Sequence, residues 1–177
     1  MQMEKKKDIL IWTVLSSLII IIIGVIWHFL NDWLGFIPFL RAISPVNESV
    51  WEHLKLTLWP VLLSWLFIIP LMHYSRTIDL KKTMISVTAC MIIANFFILS
   101  IHYILLAGFH IENTFTDICS YVIGILAGQL FVAVYIIPFE IPKWIGTLGW
   151  IVVFAAILMY SFFTYYVPDY PIFAPPK

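Results

Sequence analysis

Hydrophobic residues fall into five long, nearly uncharged stretches that are separated by short polar ones. A helix needs about 20 mostly apolar residues to cross a bilayer, because each residue advances about 1.5 Å through a hydrocarbon layer about 30 Å thick. The stretches of this length predict transmembrane helices at about residues 9–29, 54–72, 83–107, 118–138 and 144–165. The pattern therefore predicts an all-α, polytopic membrane helical bundle that forms one membrane domain over residues 1–177.

Composition supports a lipid environment. The chain is 62% hydrophobic and only 11% charged, whereas an average soluble domain carries about 25% charged residues. Ten basic and ten acidic side chains cancel, so there is no overall positive field to attract a nucleic acid. We expect the lipid bilayer as partner, no nucleic acid, and a multi-pass location in the plasma membrane.

The basic residues predict the orientation. Short cytoplasmic loops keep an excess of Lys and Arg. Seven basic residues fall on the side of the N-terminus: Lys5, Lys6, Lys7, Arg76, Lys81, Lys82 and Lys143. Three fall on the other side: Arg41, Lys55 and Lys177. The N-terminus is therefore predicted to be cytoplasmic and the C-terminus to be outside.

A polar helix start is predicted at residues 44–55, ahead of the second apolar stretch. Ser44 followed by Pro45 is typical of a helix N-cap with proline at the first helical position, and Asn47 is the alternative cap. The helix would then be longer than the hydrocarbon requires, so its first two turns should lie in the outer interface or fold over the other helices.

Two hypotheses describe this helix start. Glu48, Glu52 and Lys55 are spaced i, i+4, i+7 and share one side of a helix, with His53 on the neighbouring side. In the first hypothesis they form a solvated or headgroup-facing surface with a Glu52 to Lys55 ion pair. In the second, the acidic residues and His53 face into the mouth of the bundle as a polar site. The residues that could bind a ligand there are Asn47, Trp51 and Lys55.

Histidines add a candidate metal site. Four of the five, His28, His53, His102 and His110, are predicted at the outer ends of the spans, and only His73 is cytoplasmic. With Glu48, Glu52, Glu112 and Asp117 they offer the nitrogen and oxygen ligands of zinc or a similar divalent metal. A metal-dependent hydrolase is one alternative function: His28, His53 and His102 hold the metal, and Glu48 or Glu52 is the general base for its water.

Polar and small residues inside the spans suggest further alternatives. Asn95, His102 and Gln129 could line the path of a small transporter, although single Asn and Gln side chains in spans commonly hydrogen-bond between helices. Gly124 and Gly128 would let another helix approach closely, either within the chain or in a homo-oligomer. A third alternative is a non-catalytic anchor whose Asn-Glu-Ser segment docks a partner membrane protein.

Two expectations concern the remaining residues. The proline-rich tail at residues 167–177 should be extended or disordered. Cys90 and Cys119 are predicted at different depths, about 20 Å apart, which argues against a disulfide.

A resemblance comes from the sequence SPVNESVWEHLKL with HFLNDW ahead of it. These residues resemble a family of small bacterial integral membrane proteins of unknown function, whose first span ends in a His-Phe pair and whose Val-Asn-Glu-Ser-x-Trp-Glu-His-Leu-Lys segment leads into a helix with an early proline. Here those features are His28 and Phe29, residues 46–55, and Pro60. The resemblance implies a polytopic, prokaryotic-type membrane protein and no particular reaction, substrate or cofactor.

Overall fold

A computed structural model describes residues 2–35, 37–68 and 80–176, and every regular element in that part of the chain is helical. The helices are α1 (Gln2–His28), α2 (Leu30–Leu34), α3 (Pro38–Ile43), α4 (Val50–Leu63), α5 (Leu80–Phe109), α6 (Thr114–Phe131) and α7 (Lys143–Tyr165). Turns of π-helix extend α4 over Ser64–Ile68 and α6 over Val132–Ile136, and a 3₁₀ turn at Pro171–Phe173 follows α7. The predicted all-α fold is confirmed.

Four of these helical segments are long and apolar enough to cross a membrane: Ile11–His28, Leu80–Phe109, Thr114–Ile136 and Lys143–Tyr165. They correspond to the first, third, fourth and fifth predicted spans. The second predicted span, 54–72, is described only as far as residue 68, and His73 and Arg76 also lie outside the described residues. The count of five spans and the orientation of the termini remain predictions.

The core of the bundle lies around α5, which packs against α4, α6 and α7. Leu58 of α4, Met84 of α5 and Ile125 of α6 are completely buried there. Large apolar side chains also cover the outer surface, as with Phe96, which is 66% exposed, and Phe154, which is 62% exposed. Such a surface suits contact with lipid, because lipid tails are as apolar as these side chains.

Close packing of α6 on α5 depends on two glycines. A Cβ atom at Gly124 would lie 2.9 Å from the carbonyl oxygen of Ala94, and one at Gly128 would lie 2.8 Å from that of Cys90. Both contacts are with backbone, which cannot rotate away. The predicted close approach at this glycine pair therefore occurs within the chain, between α6 and α5.

Replacing Gly128 with alanine should destabilise the protein by about 1 to 3 kcal/mol, the usual result of overpacking a tight helix contact. The measurement is thermal or denaturant unfolding of the purified protein in detergent. Gly108→Ala is the matched control, because a Cβ there meets nothing within 4 Å, and helix propensity alone predicts equal or slightly higher stability. Equal stability of the two variants would show that α6 does not need the glycine.

Polar side chains connect the spans inside the core. The Thr57 hydroxyl lies 2.6 Å from Asn95 Oδ1, and Asn95 Nδ2 donates to the Tyr160 hydroxyl at 2.8 Å. These bonds link α4, α5 and α7, as expected for a single amide that holds a bundle together. Gln129 is also buried, but its amide nitrogen has no hydrogen-bond partner among the described residues.

The predicted start of α4 is wrong. The helix begins at Val50, and its N-cap is Ser49, whose hydroxyl accepts a hydrogen bond from the Glu52 amide at 3.4 Å. Ser44 instead ends α3 and donates to the Leu40 carbonyl, while Asn47 Oδ1 accepts from the Ser49 amide. Ser44 and Asn47 therefore stabilise the turn that precedes α4, and neither of them caps the helix.

The tail differs from the expectation too. Its 3₁₀ turn places Phe173 against Trp51 of α4 and Phe163 of α7, with ring centroids 4.8 and 5.6 Å away. Cys90 and Cys119 are both free, which confirms the expected absence of a disulfide between them.

Candidate functional site

Four histidines lie at one end of the bundle, which we call the histidine end: His28 ends α1, His53 lies in the first turn of α4, His102 is near the end of α5, and His110 follows α5. The alternation of helix directions brings these termini together. The sequence predicted that the four would share one side of the membrane, and their common position at one end agrees with that prediction.

The triad consists of His28, Glu48 and His53. His28 Nε2 lies 3.4 Å from Glu48 Oε1, and His53 Nε2 lies 3.2 Å from Glu48 Oε2. One ligand atom from each residue can be chosen so that all three lie within 4.8 Å of one another. The imidazoles are 18% and 15% exposed and the carboxylate 55%, so the triad is half-buried but reachable from outside the protein.

Local structure explains why Glu48 joins the histidines. Glu48 precedes the Ser49 cap and lies in a bend outside the helix, so the helical spacing that grouped it with Glu52 and Lys55 does not apply to it. Its carboxylate turns towards His53 and the end of α1 instead. The hydrogen bond from His53 holds the pKa of Glu48 below its usual value, against the opposing effect of partial burial. Glu48 is therefore anionic at neutral pH.

The preceding loop is fixed to α1 and α2, which positions Glu48. Trp27 Nε1 donates to the Ile43 carbonyl at 2.8 Å. Asn31 is buried, and its amide donates to Ser44 Oγ at 2.6 Å and to the Pro45 carbonyl at 2.7 Å. Buried backbone carbonyls need such donors, so these bonds hold the loop in one place against the bundle.

A cavity of about 120 Å³ adjoins the triad. That volume is enough for several water molecules beside an ion. Its polar lining includes His28, Glu48, His53, His102, Asp117 and Tyr121. The other walls are mostly apolar side chains from α1, α4, α5 and α6, such as Ile21, Leu56 and Ile98. The cavity therefore joins the triad to a second pair of ionisable residues.

That second pair is His102 and Asp117. His102 Nδ1 lies 3.3 Å from Asp117 Oδ1, and the His102 side chain is 8% exposed. The pair connects the end of α5 to the first turn of α6. His102 was predicted as a metal ligand with His28 and His53, but its nearest acidic partner is Asp117, and Glu48 takes the third position of the triad.

Glu52 and Lys55 form a separate buried network. Lys55 is fully buried and its ammonium group contacts Glu52 Oε2, the Arg41 carbonyl at 2.9 Å and the Ser44 carbonyl at 3.3 Å. Three acceptors match the three donors of a lysine. Glu52 Oε1 also accepts from the Thr164 hydroxyl at 3.2 Å, and Oε2 accepts from the Val46 amide at 3.1 Å.

The hypothesis of a solvated helix start is therefore wrong for this pair, although its ion pair is present. Glu52 and Lys55 are not among the lining residues of the cavity, so the structure does not bring them to the triad. Of the other residues predicted to bind a ligand, Trp51 packs between Tyr160 and Phe163. Asn47 is exposed and shapes the turn before α4.

Sequence reasoning missed two parts of these arrangements. Asn31 and Thr164 were not considered, because a single amide or hydroxyl at the end of an apolar stretch gives no signal of its distant partner. Asp117 was one of several acids predicted as metal ligands. The sequence did indicate its proximity to His102, because both were predicted at the outer ends of consecutive spans.

Comparison with known proteins gives a family but no activity. No curated protein and no solved structure matches the chain. The model of a family of unknown function, DUF6512, matches residues 1–176. Since the match covers nearly the whole helical bundle, including the triad and its cavity, the chain belongs to this family of unknown function.

Proposed function

We propose that this membrane protein binds one divalent transition-metal ion, such as Zn²⁺, at His28, Glu48 and His53. The observation that carries the proposal is the spacing of the donor atoms. Two ligands at about 2.1 Å from a tetrahedral ion lie about 3.4 Å apart. The nitrogen to oxygen separations in the triad are 3.4 and 3.2 Å, each to a different carboxylate oxygen, and the three ligand atoms lie within 4.8 Å of one another. An ion could enter if the side chains drew together around it.

The donor set suits the metal and leaves room for chemistry. Two imidazoles and one carboxylate are a zinc ligand set that is found in catalytic sites, where the fourth position holds water or substrate. An anionic Glu48 supplies the negative charge that the ion requires. The cavity beside the triad provides space for a water molecule or a substrate at the fourth position. By the predicted orientation, the site faces the non-cytoplasmic side of the membrane.

The transport and docking alternatives have less support. A transport path would need Asn95 and Gln129 in the same cavity as His102, and neither is among the residues that line it. The Asn-Glu-Ser segment exposes Asn47 and Glu48 for docking, and Glu48 is already paired with two histidines. Beyond them, Trp51, Glu52 and Lys55 are buried, which leaves little surface for a partner. These positions favour ligand binding at the triad over both alternatives.

Metal analysis tests the proposal. We expect the protein purified in detergent to hold about one Zn²⁺ per chain, and a chelated sample to regain it on titration. At free Zn²⁺ 100-fold above its Kd, the ion should stabilise the folded protein by about 2.7 kcal/mol. The measurements are elemental analysis and the Zn²⁺ dependence of thermal unfolding. A protein that neither retains zinc nor is stabilised by it would overturn the proposal.

A further inference from the structure

The wall of the cavity next to the triad carries a histidine and carboxylate pair that metal binding does not use. Asp117 Oδ1 engages His102 Nδ1 at 3.3 Å, which leaves His102 Nε2 as the nitrogen able to exchange a proton. A carboxylate in this position fixes the tautomer and orientation of an imidazole. The pair has the features of a general base that shares a cavity with the metal ligands.

The cavity also has an apolar entrance. Among its lining residues, Val25 and Phe29 on one side and Ile118 on the other are 51%, 41% and 53% exposed. Val25 lies near the end of α1, Phe29 directly follows that helix, and Ile118 lies near the start of α6. Since these lining side chains are exposed, the cavity reaches the outer surface of the bundle there. At this point of a membrane protein, the surroundings are the boundary between hydrocarbon and headgroups.

The position of the cavity in the membrane and the polarity of its lining indicate a type of substrate. His28 is the last residue of the first apolar span, which places the triad where a hydrocarbon layer ends. The acyl ester carbonyls of glycerophospholipids lie at this boundary, with apolar chains on one side and the headgroup on the other. The cavity likewise combines an apolar lining, such as Ile21 and Leu56, with the polar side chains of the triad.

We propose that this cavity hydrolyses acyl esters of glycerophospholipids, with His102 as general base and Asp117 as its positioning residue. The inference rests on the proposed metal site. A metal held by His28, Glu48 and His53 would supply Lewis-acid polarisation. His102 Nε2 would take a proton from a water in the cavity, and the oxygen of that water would attack the ester carbonyl carbon. The bond from that carbon to the alkoxy oxygen breaks, and His102 returns the proton to the departing oxygen. The products are a fatty acid and a lysophospholipid, and no oxidant or reductant is required.

The test uses vesicles of phosphatidylglycerol and phosphatidylethanolamine mixed with the purified, zinc-loaded full-length protein. Fatty acid and lysophospholipid are measured by mass spectrometry. We expect zinc-dependent release of both in equal amounts, and a fall of about 100-fold or more in His102→Gln, the lower range for the loss of a general base. Asp117→Asn should lower kcat and leave KM unchanged, a split that a merely structural role would not produce.

The controls separate this inference from the proposed metal site. Glu112→Gln is the matched control for Asp117→Asn, because Glu112 is an exposed acid at the same end of the bundle and does not line the cavity. His102→Gln and Asp117→Asn should retain about one zinc per chain, which also shows that they fold. If the protein binds zinc but releases no fatty acid, the proposed hydrolase activity is wrong while the proposed metal site is supported. Release of a phosphorylated headgroup in place of a fatty acid overturns the assignment to acyl esters.

Discussion

Replacing Lys55 with alanine should lower the free energy of unfolding by about 3 to 5 kcal/mol, the usual cost of removing one partner from a buried ion pair. The variant leaves Glu52, which is 3% exposed, as an uncompensated charge. It also leaves the carbonyls of Arg41 and Ser44 without this donor. The measurement is thermal or denaturant unfolding of the purified protein in detergent.

Two further variants test the cause of that loss. Lys143→Ala is the matched control, since Lys143 is exposed at the start of α7, and a surface substitution should change stability by less than about 0.5 kcal/mol. The double variant Glu52→Gln with Lys55→Met should regain part of the lost stability, because no charge is then buried. If Lys55→Ala unfolds like the original protein, the buried network does not hold the helix start in place.

Replacing His53 with alanine should weaken Zn²⁺ binding by more than about 100-fold. Loss of an outer partner of a metal ligand costs about 10 to 100-fold in affinity, and loss of a ligand itself should cost more. His53 is only partly buried, so the variant should still fold. The measurement is the Kd for Zn²⁺ from competition with a chromophoric chelator.

The matched control for this variant is His110→Asn. His110 is exposed and has a φ of 55°, a left-handed conformation that asparagine tolerates and alanine does not. It lies at the histidine end but is not a lining residue of the cavity, so its loss should leave the Kd unchanged. Equal affinities of the two variants would contradict the assignment of His53 as a ligand.

Much of the fold follows from hydropathy, because apolar length decides which segments cross a bilayer. The predicted stretch 83–107 corresponds to Leu80–Phe109, and 144–165 corresponds to Lys143–Tyr165. The start of α4 could not be predicted in this way. Ser44, Asn47 and Ser49 are all good caps, and the choice among them depends on partners from α2 and α3 that local sequence does not identify.

The candidate site was predictable only in part. The sequence placed the histidines at a common end because each lies at the boundary of an apolar stretch. It could not show that Glu48 approaches His28 and His53 while His102 pairs with Asp117, since these contacts depend on how the helices are arranged around the bundle. The burial of Glu52 and Lys55 could not be predicted either, because their spacing suits an exposed ion pair equally well.

The hydrogen bond between Thr164 and Glu52 joins residues that are 112 positions apart, and this separation affects the order of assembly during synthesis. At about 5 to 20 residues per second, a ribosome needs about 6 to 22 s to advance from one to the other. During that interval Glu52 and Lys55 have already been translated, whereas α7 has not. The nascent chain must therefore keep this charged pair hydrated, or in contact with the insertion machinery, until its last apolar helix arrives to enclose it.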